Sequence, residues 1–485
     1  MGIQEFLHDY LMKKPVSFHM PGHKGGRFYE RFGYGAFSER FIDCDITEIP
    51  GADNLFLAEG ILKELQDGYA ALYGVKKSWL LINGGSGGLI AAVLASSPAG
   101  KPLIMARNSH KSIFNALTLG GLTPVYMYPE IIEEYGIPGE MRPEETERLL
   151  RENPDAEAVI LPSPNYYGVC SDIERIAEAV HRAGKILIVD QAHGAHLAFF
   201  DRYEGGAAAG KRAPLSAELS GADLIVNSTH KTLASLTQTA VLNLNSDRVD
   251  PEALEDKLQC VESTSPSYLL MLSADINREI LERHGRALIE EWNGNLDGFY
   301  RAAETVPGLK VMNAAGRFDR TKINIDMSAR GISGTRLKEL LMEENICAEL
   351  SSGGVVMCMT GVGNVRGDYE ALAAVLRRIS ESRGFGREAG ERREPDTEAK
   401  IETEEALYPP KIPEFAGIPE TKRRVKLEAA EGLICAASVI PYPPGVPLLC
   451  PGERVGRDAV AYIAALRRAG GKVTGVTADG EIFAG

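Results

Sequence analysis

The runs Lys185-Ile186-Leu187-Ile188-Val189-Asp190-Gln191-Ala192-His193 and Ala222-Asp223-Leu224-Ile225-Val226-Asn227-Ser228-Thr229-His230-Lys231-Thr232 share one layout, a short apolar stretch followed at once by chemically capable side chains. Stretches this short and this apolar read as strands buried on both faces of a parallel sheet. Ligands of open α/β sheets bind beyond the carboxyl ends of the strands. The two runs therefore bring Asp190 and Lys231 to one edge of one sheet. Further β-rich runs at 79–82, 103–106, 125–128, 158–161 and 240–244 alternate with amphipathic segments such as 172–180, for which Ser171 is the expected cap. Strands alternating with helices predict βαβ units, hence an α/β fold with a mostly parallel sheet over residues 76–300.

Residues 1–75 read as an N-terminal arm and the entry to this large domain. A long helical stretch after Tyr268 leads out of it, and a smaller α/β domain follows over 301–382, with β-rich runs at 309–312, 322–326 and 355–359. Residues 383–405 are charged, poor in apolar side chains and punctuated by Gly384, Gly386, Gly390 and Pro395, as expected of an exposed linker. The turn-rich remainder, 406–485, is a candidate C-terminal α+β domain.

Composition narrows the function classes. A chain of 485 residues is long enough for about three domains at roughly 150 residues each, and 44% hydrophobic with 25% charged residues is ordinary for a globular protein. A net charge of −14 without a Lys/Arg block excludes nucleic acid, whose phosphates need basic patches, and mildly favours cationic substrates. Seven cysteines scattered singly predict reduced thiols. The N-terminus lacks a basic segment followed by an apolar one, and no apolar run approaches the ~18 residues of a membrane span. A soluble, cytoplasmic protein with no membrane partner is the expectation.

The chemistry concentrates at the sheet edge. A lysine able to form a Schiff base and a carboxylate able to partner a pyridine nitrogen together suit pyridoxal phosphate. Alone, Lys231 reads as a solvated lysine and Asp190 as a turn residue; the pairing carries the inference. Asn83-Gly84-Gly85-Ser86-Gly87-Gly88 lies between a strand and an apolar helix, where glycine N–H groups and the helix dipole cradle an anion. It has neither Walker spacing nor a dinucleotide fingerprint. His110 lies at the same edge and could stack on a cofactor ring or cap the next helix. His193, His196 and His230 raise the thought of zinc, but no helical His-x3-His pair occurs and Lys231 has no place in such a site, so no metal is expected.

In chain order, Phe18-His19-Met20-Pro21-Gly22-His23-Lys24-Gly25-Gly26, Asp45-Ile46-Thr47-Glu48, the Ser86 turn, Arg107-Asn108-Ser109-His110-Lys111-Ser112, Asp190-Gln191-Ala192-His193-Gly194-Ala195-His196, Ser228-Thr229-His230-Lys231, Tyr442-Pro443-Pro444-Gly445 and Pro451-Gly452-Glu453 resemble the Orn/Lys/Arg decarboxylase family of fold type I pyridoxal-phosphate enzymes. The overall length resembles its short bacterial members, many of them arginine decarboxylases. The resemblance implies a catalytic set of Lys231 as the Schiff-base lysine, Asp190 on the pyridine nitrogen and His110 on the ring. It implies a phosphate site of Ser86, Ser228 and His230, with the Gly85 and Gly87 backbone, and His193 beside the cofactor. Glu48 and Glu453 become candidates for the distal cation of a basic amino acid, arginine before lysine or ornithine, and the implied assembly is a homodimer or larger. Another pyridoxal-phosphate reaction, such as an aminotransferase or lyase, and a non-catalytic regulatory relative remain the rival readings. Two departures stand out: glycines replace hydroxyls often present in the phosphate turn, and Gln191 replaces the acidic residue common after the aspartate.

Overall fold

The computed structural model describes residues 2–204, 215–313, 316–382, 413–442, 445–468 and 471–485. Its central sheet has seven strands: β1 Lys77–Leu81, β2 Pro102–Ala106, β3 Thr123–Met127, β4 Ala158–Pro162, β5 Ile186–Asp190, β6 Leu224–Asn227 and β7 Ala240–Leu244. They lie in the order β1-β7-β6-β5-β4-β2-β3, and every neighbouring pair is parallel except those made by β7, which runs antiparallel to β1 and β6. The sheet is thus mostly parallel, as expected of a fold type I domain.

Alternation along each strand builds the two faces. Leu103 and Met105 pack with Leu89 and Phe114 on one side, while Ile104 and Ala106 pack with Leu149 and Ile176 on the other. Full burial of side chains of this size contributes about 1.5–3 kcal/mol each, which is why these runs are continuous in apolar residues rather than alternating. The helix Ile173–Arg182 is capped by Asp172, whose side chain accepts from the Arg175 N–H at 3.2 Å, and not by Ser171. Ser171 is committed elsewhere, accepting from the Met141 N–H at 3.0 Å.

A 36-residue helix, Tyr268–Ala303, leads out of the large domain. The smaller domain beyond it is built on an antiparallel sheet of Lys310–Val311, Lys322–Asp326, Val355–Met359 and Leu350–Ser352. The N-terminal strand Val16–Phe18 pairs in parallel with Ile346–Ala348, so the arm reaches the small domain as well as the large one. The expected linker falls outside the described residues. In the C-terminal region, Arg423–Lys426 pairs with Glu481–Ala484 and Ile440–Tyr442 with Lys472–Thr474, around a core that includes Leu427, Val439, Leu449 and Ile463.

One buried ion pair keys this C-terminal unit onto the large domain. The Arg107 guanidinium donates to the Pro447 and Leu448 carbonyls at 2.7 and 3.0 Å and to Glu453 Oε2 at 3.1 Å. The side chains of Arg107 and Glu453 are 3% and 0% exposed. Breaking such a pair leaves an uncompensated buried charge, which costs about 3–5 kcal/mol. Arg107→Met is therefore expected to lower stability by that amount and to open the region after residue 413 to proteolysis. Denaturation curves and a timed digest check this, and a parental digest pattern would contradict it.

Candidate active site

β5 ends on Asp190, and β6 beside it leads through Ser228 into a single helical turn, Thr229–Thr232, that carries Lys231. Together they open on a cavity of about 390 Å³. Lys231 Nζ lies 3.0 Å from His193 Nε2. Burial pushes the Lys231 ammonium below its ordinary value, against the attraction of Asp190, and burial likewise raises the Asp190 carboxyl against the pull of Lys231. His193 is driven well below its usual range, first by burial and then by Lys231. A neutral ring accepting at Nε2 carries its proton on Nδ1, and that buried atom has no hydrogen-bond partner among the described residues.

The other imidazoles are neutral for the same reason. Burial, then Lys231, pushes His110 down to about 3, and its Nδ1 accepts from the Ser112 N–H at 3.3 Å, capping the helix Lys111–Gly120. Burial pushes His230 down to about 4, and its Nδ1–H donates to the Thr239 carbonyl at 2.8 Å. His196 turns away to Asp319 and Thr232. The four histidines thus serve four separate hydrogen-bond roles.

The glycine run opens a helix, Gly84–Ser96, so its first-turn N–H groups are free for an anion. A Cβ on Gly85 would stand 3.0 Å from Ser228 Oγ, and one on Gly88 only 2.5 Å from Leu81 Cδ1. Side chains there would fill the cradle or lift the helix off the sheet, which accounts for glycine in place of larger residues. Behind the turn, Glu262 Oε2 accepts from the Ile82 and Asn83 N–H groups at 3.0 and 2.9 Å, and burial pushes its carboxyl up to about 7.

Every residue expected at the site lines this cavity except Gly87, Glu48 and Glu453. A Cβ on Gly87 would meet Glu262, Glu48 is exposed on the surface, and Glu453 is sealed against Arg107. Glu453 therefore does not meet a substrate cation, because its charge is already neutralised in a dry interface. Gln191 also faces away. It donates to Glu218 Oε2 at 2.8 Å and Asn227 Oδ1 at 2.9 Å and accepts from the Ala217 N–H at 2.7 Å. An acid there would set a second buried carboxylate against Glu218.

Residues missed from sequence complete the wall. The Tyr166 ring packs on His193 with centroids 4.4 Å apart, and its hydroxyl donates to Glu349 Oε1 at 3.0 Å, while Glu349 Oε2 accepts from the Met20 N–H at 3.0 Å. Tyr166 follows β4 at the same sheet edge, a signal that could have found it; Glu349 comes from the small domain and has no local signature. The Gly22 N–H donates to the His230 carbonyl at 2.8 Å, the Val362 N–H to the Thr232 carbonyl at 2.9 Å and the Gly363 N–H to the Gly22 carbonyl at 2.9 Å. The arm and the small domain thereby close over the Lys231 turn.

Residues 3–305 match the family model described as Orn/Lys/Arg decarboxylase, major domain, and residues 398–481 match Orn/Lys/Arg decarboxylase, C-terminal domain. The chain is similar to arginine decarboxylase of Bacillus subtilis (strain 168), with 32% identity over 473 residues covering 94% of this chain and 91% of that protein. It is also similar to arginine decarboxylase of Bacillus anthracis, with 31% identity over 488 residues, 97% of this chain and 93% of that protein. Among solved structures, Francisella novicida lysine decarboxylase matches with a TM-score of 0.76 at 19% identity, covering 99% of this chain and 83% of that one. That last likeness speaks for the fold.

Glu262 ties this site to pH. Its folded value of about 7 lies above that of an unfolded glutamate, so the folded chain holds an extra proton between the two. The stability from this group is present below the unfolded value and is lost as pH rises through about 7. Glu262→Gln keeps an acceptor for Ile82 and Asn83 and removes that loss, by up to about 3 kcal/mol. Urea denaturation at about pH 5 and about pH 8 should show a smaller fall for the variant than for the parent; parallel falls would refute the assignment.

Proposed function

The chain belongs to the Orn/Lys/Arg decarboxylase family, and from that premise we propose that it removes the α-carboxylate of arginine to give agmatine, an amine that feeds polyamine synthesis. The observation that carries this is the half-buried Lys231 amine at the sheet edge, in contact with His193 and within the field of Asp190. Pyridoxal phosphate fits the residues present: a cradle that a Cβ at Gly85 would crowd, a half-buried amine, a carboxylate, and an orphaned His193 Nδ1. When bound, it supplies an electron sink for the pair left on Cα as carbon dioxide departs.

The chain's own groups do the rest. Lys231, whose ammonium burial shifts toward the neutral amine, would hold the cofactor through its nitrogen. Asp190 would hold a proton on the pyridine nitrogen. His110 offers a neutral ring for stacking. The Gly85 backbone, Ser86 and Ser228, which line the cavity, would take the phosphate. His230 can join them only as a donor at Nε2, because its Nδ1–H is spent on Thr239; a phosphate dianion beside it supplies the charge that favours protonation there. His193, in contact with Lys231, stands where it can pass a proton to or from that nitrogen.

Decarboxylation is favoured over transamination because, among the described residues, no arginine lines the cavity to anchor an α-carboxylate. Near its walls apolar groups such as Met20, Leu89 and Val446 leave that carboxylate poorly solvated, which favours its loss. The preference for arginine rests on the names of the Bacillus relatives. A homodimer accounts for the exposed Ile42, Ile49, Leu57 and Ile61, at 79%, 52%, 67% and 52% exposure, which flank Glu48 along the chain and would present it to a neighbouring protomer. A cytoplasmic setting agrees with the free cysteines.

Purified protein with pyridoxal phosphate, offered arginine, lysine and ornithine separately, should release carbon dioxide and amine from arginine fastest, and Lys231→Ala should fall to background. A keto acid product would instead mark a transaminase. Cofactor uptake without turnover of any substrate would mark a regulatory relative. Light scattering should give at least twice the chain mass; a monomer would remove the role given to Glu48.

A further inference from the structure

A dry ionic cluster lies against the Lys231 and His193 segments and takes no part in the steps above. The side chains of Lys322 and Asp319 are 0% and 2% exposed. Lys322 Nζ donates to Asp319 Oδ2 at 2.7 Å and to the His193 main-chain carbonyl at 2.5 Å. Asp319 Oδ1 accepts from the Thr321 N–H at 3.0 Å, the Thr321 hydroxyl at 2.7 Å and His196 Nε2 at 3.1 Å. With that proton directed to Asp319, His196 Nδ1 is left to accept from the hydroxyl of Thr232, the residue after Lys231, at 3.1 Å. His196 is wholly buried and packs against Trp292 with ring centroids 5.0 Å apart. Burial alone would raise the Asp319 carboxyl, but His196 and Lys322 hold it well below the usual carboxylate range.

Stability is a weak reason for such a cluster, since well-packed apolar side chains often replace buried ion pairs at no cost. Its reach is more telling. The small-domain residues Asp319 and Lys322 hold one bond to the segment of His193 and, through His196, one to the segment of Lys231. Those two side chains meet at 3.0 Å across the cavity edge. We propose that Lys322 is a positioning residue through which the small domain sets His193 against Lys231, with Asp319 as counter-charge and His196 as the second arm. This rests on the reading of Lys231 as the cofactor lysine.

The cluster also shapes the field at that nitrogen. Lys231 faces the carboxylates of Asp190 and Glu349, the ammonium of Lys322, and the neutral rings of His193, His110 and His230. Loss of the Lys322 charge lets the Lys231 nitrogen keep a proton to higher pH, and loss of the Asp319 charge has the opposite sign.

The test uses protein loaded with pyridoxal phosphate and follows the visible absorption of the Lys231–cofactor linkage against pH, alongside steady-state kinetics. Lys322→Met should lower kcat about tenfold or more with KM little changed, and raise the spectral midpoint by on the order of one pH unit. Asp319→Asn should move the midpoint down. The double variant should bring it back toward the parent, since the charges cancel, while kcat stays low because the His193 carbonyl is no longer held. A purely structural cluster would lower the melting temperature and leave the midpoint in place. If Lys322→Met fails to fold, the isosteric Asp319→Asn decides alone: an unchanged midpoint and kcat would overturn the proposal. A parent protein that shows no visible band with pyridoxal phosphate would overturn the cofactor reading itself, and this proposal with it.

Discussion

Three backbones meet at the turn that carries Lys231, and they meet so closely that only glycine fits between them. A Cβ on Gly22 would stand 2.3 Å from the Leu233 carbonyl oxygen, one on Gly361 2.6 Å from Gly22 Cα, and one on Gly363 2.1 Å from the His23 carbonyl oxygen. No real Cβ contact is that short, so the arm, the large domain and the small domain can close on one another only with hydrogen at these positions. From that closure follow the partial burial of Lys231, the downward shift of the surrounding imidazoles and the presence of small-domain charges near the cavity. An active edge of this kind is less a set of side chains than a tight seam between three segments, with chemistry placed along it.

Burial also explains the electrostatics of the seam. An ammonium loses more than a neutral amine on leaving water, so burial favours the nucleophilic form. The same desolvation would be ruinous for an unbalanced charge, and buried charges are accordingly answered: Asp319 by Lys322, Arg107 by Glu453, and Glu218 by the amides of Gln191, Asn227 and Asn243. Glu262 is the partial exception, with Oε1 lacking a hydrogen-bond partner among the described residues.

Most of this edge was legible in the sequence because its parts are local. Apolar runs end on Asp190 and just before Ser228, the glycines sit between a strand and a helix, and the carboxyl-end rule brings them together without coordinates. Legibility stopped where function depends on pairing across the chain. Glu453 stands in the expected motif, yet its partner lies 346 positions away, and nothing near either residue reveals that Arg107 has already claimed it. Lys322 and Glu349 belong to the small domain and carry no motif, so their placement beside the cavity appears only once the domains are packed. Ser171 and Asp172 illustrate the same limit at short range. Both are good caps by type, and the choice between them was made by Met141, which needs Ser171 for its own N–H.

The Arg107 latch has a consequence for how the protein comes into being. Arg107 stands three residues before His110, and the groups that neutralise it, Pro447, Leu448 and Glu453, are synthesised far later. Until the ribosome has delivered them, Arg107 lacks its buried partners and one corner of the cavity wall is missing, because Pro441, Gly445 and Val446 also come from that late segment. Domains commonly fold in the order in which they emerge, but here the sheet can form early while its working edge cannot. The wall of the site is therefore complete only once the C-terminal unit has docked on the large domain.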